Sequence, residues 1–547
     1  MSSASRRIVR VQRQILKTIR ADVRKALGPR TRDLRRYYEA YKREFRGQVR
    51  HSTKDELLKK CLVSDIILLG DYHTFPQSQK AALMLFKELV AAKKKVVLAV
   101  EMFRSEHQEW IDGYIDGKLT EQDFLEKINY SKTWGFSWEN FGPLLNFAKT
   151  HRLQVLGLNL ETEKLQARDA HAAKILATFA ATNPDSKIFV QYGDLHLARG
   201  HIPKFLKAEL KENALKRKIL TIFQNSESIY WRLAEQKAVY QVDVVSLKGA
   251  RYCLMTAPPW VKLQSYLEWA ESSQLFDIEE GIGPNLNEIA HDRLKHLAEA
   301  LKLRLPENLD FTIQTVNDLA FLNNASGLQH LNRQEMKIVK YHILGNRSIY
   351  IPGQNLFYLA SPSANSVSEG VSLLAFAACS QTHTLFYKPR EHFFAAVLTA
   401  MLAYFGSKVL NHNRKCDLEE DFKALLARPL PRKALPQEKL QRKTAKFVLK
   451  HCNAQRDYAK SKAYRAPVTQ KGTAQISVFL ESARCLGKML GERLYASYVE
   501  GHFPAERVVS LFQTKLENPR QARSLYLELV LDLNKYRLSH SSKQDRF

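Results

Sequence analysis

The 547-residue chain has only six cysteines, and they are widely spaced: Cys61, Cys253, Cys379, Cys416, Cys452 and Cys485. No Cys-x-x-Cys pair occurs, so neither a zinc knuckle nor a disulfide scaffold is signalled; a reducing cytoplasm is the simplest compartment. A run of about 18 apolar residues is not evident, so no transmembrane helix is expected. The basic N-terminus lacks the apolar stretch of a signal peptide, and no cysteine near the start offers a lipid attachment point. The expected location is therefore cytoplasmic, at most peripheral to a membrane. Acidic residues are also scarce, with 56 Asp and Glu against 84 Lys and Arg, a net charge of +28. Residues 1–60 carry 19 basic and 6 acidic residues, and residues 431–475 carry 12 and 2. Such segments attract an anionic partner, a membrane surface or nucleic acid, or else form a solubilising face.

What is present supports real cores, since 45% of the residues are hydrophobic. Residues 6–28 read as an amphipathic helix, with Ile8, Val11, Ile15, Ile19, Val23 and Leu27 at three- and four-residue steps and arginines between them. From residue 64 the pattern becomes strand, turn, helix. Short apolar runs at 65–70, 96–100, 154–158 and 187–192 read as buried strands, and Leu83, Phe86 and Val90 mark the helix after the first. Residues 105–151 read as helical with a break near Gly135, and 163–181 as a further helix. Segments 217–224, 238–247 and 251–256 add strands, so the sheet is expected to be mixed. Pro258-Pro259 and Gly281–Pro284 mark a change of organisation. The expected fold is α/β, a layered domain with a mixed sheet followed by a mainly α-helical C-terminal half. The expected segments are a basic helical extension (1–56), the α/β domain (57–275), a helical domain (276–428) and a basic helical region (429–547), disordered after about Ser539.

One tetrapeptide pattern occurs twice. Gly70-Asp71-Tyr72-His73 closes the first strand and Gly193-Asp194-Leu195-His196 the fourth, while Glu101 directly follows the second. In an open α/β sheet, ligands bind beyond the carboxyl ends of the strands, and glycine there lets the backbone turn sharply. Three strands thus deliver His73, Glu101 and His196 to one edge. Two imidazoles and a carboxylate are ordinary ligands for a divalent transition metal, and Glu101 is alternatively a general base for a metal-bound water. Arg168, in the first turns of the helix after the third strand, suits a carboxylate or phosphate, or holds Glu101 in place. His201 is a supporting group or the start of the next helix. The cluster Trp134-Gly135-Phe136-Ser137-Trp138 either lines a flat apolar pocket or packs in the core.

These residues carry a resemblance. The stretches Leu68–His73, Ala99–Phe103, Trp134–Trp138, Leu158–Leu160, Arg168-Asp169 and Gly193–Pro203 resemble, in order and spacing, the ChaN family of haem-binding uptake proteins. That family stands with the Tiki, TraB and erythromycin-esterase-like proteins. The resemblance spans roughly 200 residues. It implies that His73, Glu101, Arg168 and His196 are the superfamily positions, with haem binding and iron uptake in some members and metal-dependent hydrolysis in others. The chain departs from the family in lacking an export signal and in carrying Phe141 where relatives often have a tyrosine.

Three functions are compatible with this reading. The first is a haem- or metal-binding protein with His73 and His196 as ligands, Glu101 as ligand or base and Arg168 as anchor for an acidic group such as a haem propionate. The second is a metal-dependent hydrolase, a peptidase or esterase. The third is a scaffold or nucleic-acid-binding protein with basic flanks.

Overall fold

The computed structural model describes residues 2–92, 95–272, 286–307, 309–315, 328, 330–360, 363–431, 433–461, 463–465, 467 and 474–547. The Gly281–Pro284 boundary lies outside them. The chain forms two compact units, residues 1–17 with 284–546, and residues 18–283 with Phe547.

The α/β unit is built on an eight-stranded sheet. In chain order the elements are the last part of α1 (Ser3–Leu27), whose residues up to Lys17 belong to the other unit, then α2 (Arg32–Glu44), β1 (Val49–Ser52), α3 (Lys54–Val63), β2 (Ile66–Asp71), α4 (Pro76–Ala91) and β3 (Val96–Arg104). Four short helices follow, α5 (Gln108–Ile115), α6 (Glu121–Lys127), α7 (Tyr130–Thr133) and α8 (Trp138–Thr150). Then come β4 (Val155–Asn159), α9 (Leu165–Thr182), β5 (Lys187–Gly193), α10 (Ile202–Glu212) and β6 (Ile219–Gln224). The unit closes with α11 (Glu227–Glu235), β7 (Val244–Leu247), β8 (Arg251–Leu254) and α12 (Pro259–Ser272).

The spatial order is β1-β7-β8-β6-β2-β5-β3-β4. From β8 to β4 all neighbours are parallel, and β7 pairs antiparallel with both β8 and β1, so the sheet is mixed as expected. Every residue of β2 and β5 is buried. Parallel strands covered on both faces need apolar side chains throughout, which is why these segments read as continuous runs rather than alternations.

Several local expectations change. The buried face of α4 is Ala82, Leu85, Phe86 and Leu89, with Leu83 and Val90 at its rim. β3 runs on to Arg104, so Glu101 lies within the strand, where the register with β4 shifts between Val100 and Arg104. The segment 105–151 is not one broken helix but several, interrupted at Gly117 and Gly135, both with positive φ. Within 238–247 only Val244–Leu247 is strand; the preceding residues turn at Ala238.

The second unit is mainly helical but holds a three-stranded sheet of β9 (Thr312–Thr315), β10 (Ile349–Ile351) and β11 (Leu356–Leu359). Strands of three or four residues are too short to show a period of their own. Its helix Phe393–Leu410 is long and apolar enough to cross a membrane by length and composition, contrary to the reading from sequence, and 78% of it is buried within the protein. Lys408, on this helix, donates to both oxygens of Glu492 at 2.7 and 2.8 Å. The C-terminus is ordered rather than loose: Phe547 is buried and its N–H donates to Asp243 Oδ2 at 2.9 Å. The apolar stripe of α1 is buried from Ile8 to Val23 and is not free for a lipid surface, while Arg6, Arg10, Arg13, Lys17, Arg24 and Lys25 stay exposed.

Candidate functional site

His73, Glu101 and His196 converge at the carboxyl ends of β2, β3 and β5, which are neighbours through β5. The meeting point is Gly193. A Cβ placed there would stand 3.2 Å from Glu101 Oε2, 3.4 Å from His196 Cδ2 and 3.5 Å from His73 Cε1. On β2, one residue before the partner of Gly193, a Cβ on Gly70 would overlap Asp194 Oδ1. Neither glycine has a positive φ. Their use is therefore to leave room for side chains rather than to make a sharp turn, which corrects the expectation from sequence.

Each histidine is held by an aspartate. His73 Nδ1 lies 2.8 Å from Asp71 Oδ2, and Asp71 Oδ1 accepts from the Gln79 amide at 2.8 Å. His196 Nδ1 lies 2.5 Å from Asp169 Oδ1. A carboxylate accepts, so each neutral imidazole carries its proton on Nδ1 and leaves Nε2 as the free basic atom. His73 Nε2 is 3.7 Å from Glu101 Oε2.

Glu101 is buried and fully engaged. Its Oε1 accepts from Arg168 Nη2 at 2.5 Å, and its Oε2 accepts from the Gly193 N–H at 2.6 Å. Burial alone would raise its carboxyl pKa, but His73, Arg168, His196 and the Gly193 N–H together hold it below the usual range. For His73, burial works toward neutrality and is outweighed by Asp71 and Glu101, so its pKa is raised. Burial pushes Asp194 up to about 6 despite Lys262. Among the described residues, no group of three or more His, Cys, Asp and Glu side chains is arranged to hold a metal ion.

One side of the crevice is aromatic. Trp134 and Phe136 meet the His73 ring at centroid distances of 4.5 and 5.0 Å, and Trp269 lies 4.8 Å from Phe136. Trp138 packs on the core rings Phe124 and Tyr130, and all three aromatic residues of the cluster pack against the core while Trp134 and Phe136 also face His73. Phe141, 2% exposed, belongs to the core. The His73 side chain is 24% exposed and that of His196 9%. Arg168 retains one buried donor, its Nε–H, with no acceptor among the described residues.

The aspartates that orient the histidines were not assigned a role from sequence, although Asp71 and Asp169 lie inside the quoted motifs; Asp71 stands two residues before its histidine, but Asp169 stands 27 before His196 and leaves no local signal. His201 precedes α10 and also lies 3.6 Å from Asp169 Oδ2, joining the two uses considered for it.

The arrangement is that of an α/β protein whose sheet edge gathers histidine and carboxylate side chains into a candidate site. Residues 57–167 match the model of the family described as haem-binding uptake, Tiki superfamily, ChaN, in agreement with the resemblance read from the motifs. Among solved structures, the chain is similar to that titled "Cofacial heme binding to ChaN of Campylobacter jejuni", at 15% identity and a TM-score of 0.25, over 32% of this chain and 86% of that one. It is also similar to the type III effector HopBA1, at 13% identity and a TM-score of 0.28, over 38% and 96% respectively. No curated protein matches.

Proposed function

We propose that the α/β unit binds haem at this crevice, with His73 as the iron-facing imidazole. The observation that carries the reading is the pairing of an aspartate-oriented, partly open imidazole with an aromatic wall, Trp134 and Phe136. A carboxylate on the far nitrogen fixes ring orientation and raises ligand basicity, as it does for histidines that bind metals. The wall supplies an apolar face for a flat macrocycle. The spare Nε–H of Arg168 suits a propionate. Haem would bring redox-active iron, and the chain's own residues would bind and orient it. The matched family's haem-binding description supports the same reading.

A bare divalent ion, the basis of the hydrolase reading, fits less well. Both Glu101 oxygens already accept hydrogen bonds, and a metal would have to displace them. That reading keeps one point in its favour: Glu101 is held ionised, as a general base requires. A role in iron handling and an anionic partner for the basic flanks are further expectations of the same proposal.

The test is haemin titration, metal content and ester or peptide hydrolysis on wild type, His73→Ala, His196→Ala and Glu101→Gln. The haem reading expects a Soret shift that His73→Ala abolishes and Glu101→Gln largely keeps. Chelator-sensitive hydrolysis lost in Glu101→Gln with metal retained would replace it with the hydrolase.

A further inference from the structure

The haem reading and the family match both leave residues 1–56 without a part in the site. The structure gives α2 one. Its Thr31 side chain caps the first turn, and its buried face repeats at Tyr37, Tyr41 and Glu44. This spacing puts the three side chains on one stripe of the helix. Tyr37 and Tyr41 reach carboxylates at the strand ends, and Glu44 anchors the end of the helix beside them. The Tyr37 hydroxyl donates to Asp169 Oδ2 at 2.7 Å, and the Tyr41 hydroxyl donates to Asp194 Oδ2 at 2.8 Å. Glu44 accepts from the backbone N–H of Arg199 at 3.0 Å and pairs with the Arg199 and Arg251 guanidinium groups.

The Tyr37 contact matters most, because the other oxygen of Asp169 holds His196. Asp169 has a second suitor: His201 Nδ1 lies 3.6 Å from Oδ2, the oxygen that Tyr37 occupies. The Tyr37 ring stacks on His201 at 3.7 Å and meets His196 edge-on at 5.3 Å, so one side chain packs between the two imidazoles and the carboxylate they share. Burial and the Asp169 charge push the Tyr37 hydroxyl far up, and it remains a donor at any working pH.

We propose that α2 is a clasp that completes the crevice, and that Tyr37 is the positioning residue for His196. By occupying Asp169 Oδ2, the hydroxyl keeps the carboxylate from turning to His201 and commits Oδ1 to His196 Nδ1. His196 is thereby held as the single tautomer whose Nε2 is bare. The consequence for ligand rests on the reading of the crevice as a haem site; the consequence for the tautomer does not.

The experiment uses the full chain, labelled with 15N-histidine, without ligand. Long-range proton–nitrogen correlation spectra report the His196 tautomer, assigned by loss of its signals in His196→Gln. Wild type is expected to show the Nδ1–H form alone. Tyr37→Phe is expected to show both tautomers, because Asp169 now divides between two histidines. Tyr38→Phe is the control, since the Tyr38 ring is covered by Arg30 and Lys42 and not by the crevice. It should match wild type. The double variant Tyr37→Phe/His201→Phe removes the competitor and should restore the single tautomer, a rescue that a merely structural tyrosine would not give. A parallel haemin titration reads whether the His196 tautomer reaches the ligand, with weaker binding expected in Tyr37→Phe than in Tyr38→Phe. A Tyr37→Phe spectrum with only the Nδ1–H form, or failure of the rescue, overturns the clasp. Failure of wild type to bind haemin overturns the proposed function instead, and the tautomer spectra still decide the clasp.

Discussion

His451 of the helical unit and His73 of the α/β unit are both imidazoles set among aromatic rings, yet their surroundings shift their pKa values in opposite directions. His451 stacks on Phe393 at 4.6 Å, meets Phe447 at 4.8 Å and has only the Tyr464 hydroxyl, 2.8 Å away, on Nδ1. Burial pushes its pKa down to about 3. His342 in the same unit is pushed down to about 4, again chiefly by burial. His73 has Trp134 and Phe136 around it, but Asp71 and Glu101 raise its pKa against the same desolvation. Rings alone expel a charge; carboxylates retain it. His73 has a carboxylate facing each ring nitrogen and a side chain that is 24% exposed, the features on which the proposed haem site rests.

The comparison can be broken most forcefully in the helical unit's own ion pair. Lys408 and Glu492 are buried together, with the Tyr404 hydroxyl donating to Glu492 at 2.7 Å. Lys408→Met leaves a buried carboxylate without its cation and should cost about 3–5 kcal/mol, while Lys408→Met/Glu492→Leu recovers most of it. Hydrogen exchange resolved by segment reads the loss in helix Phe393–Leu410. Equal stability of single and double variants would mean the charge is not confined there.

Gly70→Ala is the corresponding break in the α/β unit. The new methyl would overlap Asp194, which the Tyr41 hydroxyl and the Gln224 N–H pin in place. The expected cost is about 1–3 kcal/mol, seen as faster exchange in β2 and β5. A wild-type exchange pattern would show that Asp194 moves aside freely.

Acid should separate the units by sign. For His451 and His342 the folded pKa is depressed, so their contribution is present above the unfolded value of about 6.5 and is lost as pH falls toward 4 and then 3. For His73 the folded pKa is raised, so its contribution is full below about 6.5 and is lost as pH rises through the folded value. Exchange measured from pH 7 to 4 should show the helical unit weakening by about 2 kcal/mol or more while the His73 contribution runs the other way. Parallel loss in variants with His451→Phe and His342→Phe would assign the acid sensitivity elsewhere.

The smallest effect sharpens the same contrast. Glu101→Gln removes a neighbouring negative charge and should move the His73 titration down, followed by NMR in the ligand-free protein. No movement would leave Asp71 as the sole cause of the raised value.

Much of this was legible in the amino-acid order. Buried parallel strands announce themselves as apolar runs, and a Gly-x-x-His at two strand ends gave His73 and His196, with Glu101 and Arg168 completing a set that the fold brings together. Less visible were features whose cause is distant in the chain. Gly70 looked like a turn residue, and only the approach of Asp194, 124 positions later, shows why it has no side chain. Glu101 looked like a residue beyond its strand because the register shift at Val100 leaves no local trace. The β9–β11 sheet was missed because its strands are too short to carry a period.

By itself, then, the sequence determined the strands, the glycine-marked edge and the residue types gathered there, because strand burial and backbone space are dictated by neighbours a few positions apart. The tertiary structure decided how those residues are charged and aimed. Asp71 against His73, Asp169 against His196 and Tyr37 against Asp169 are pairings across 2, 27 and 132 positions. Hydrogen-bond partners and dielectric are properties of the packed neighbourhood, and for the two longer pairings that neighbourhood is assembled by sheet order and by the seating of α2.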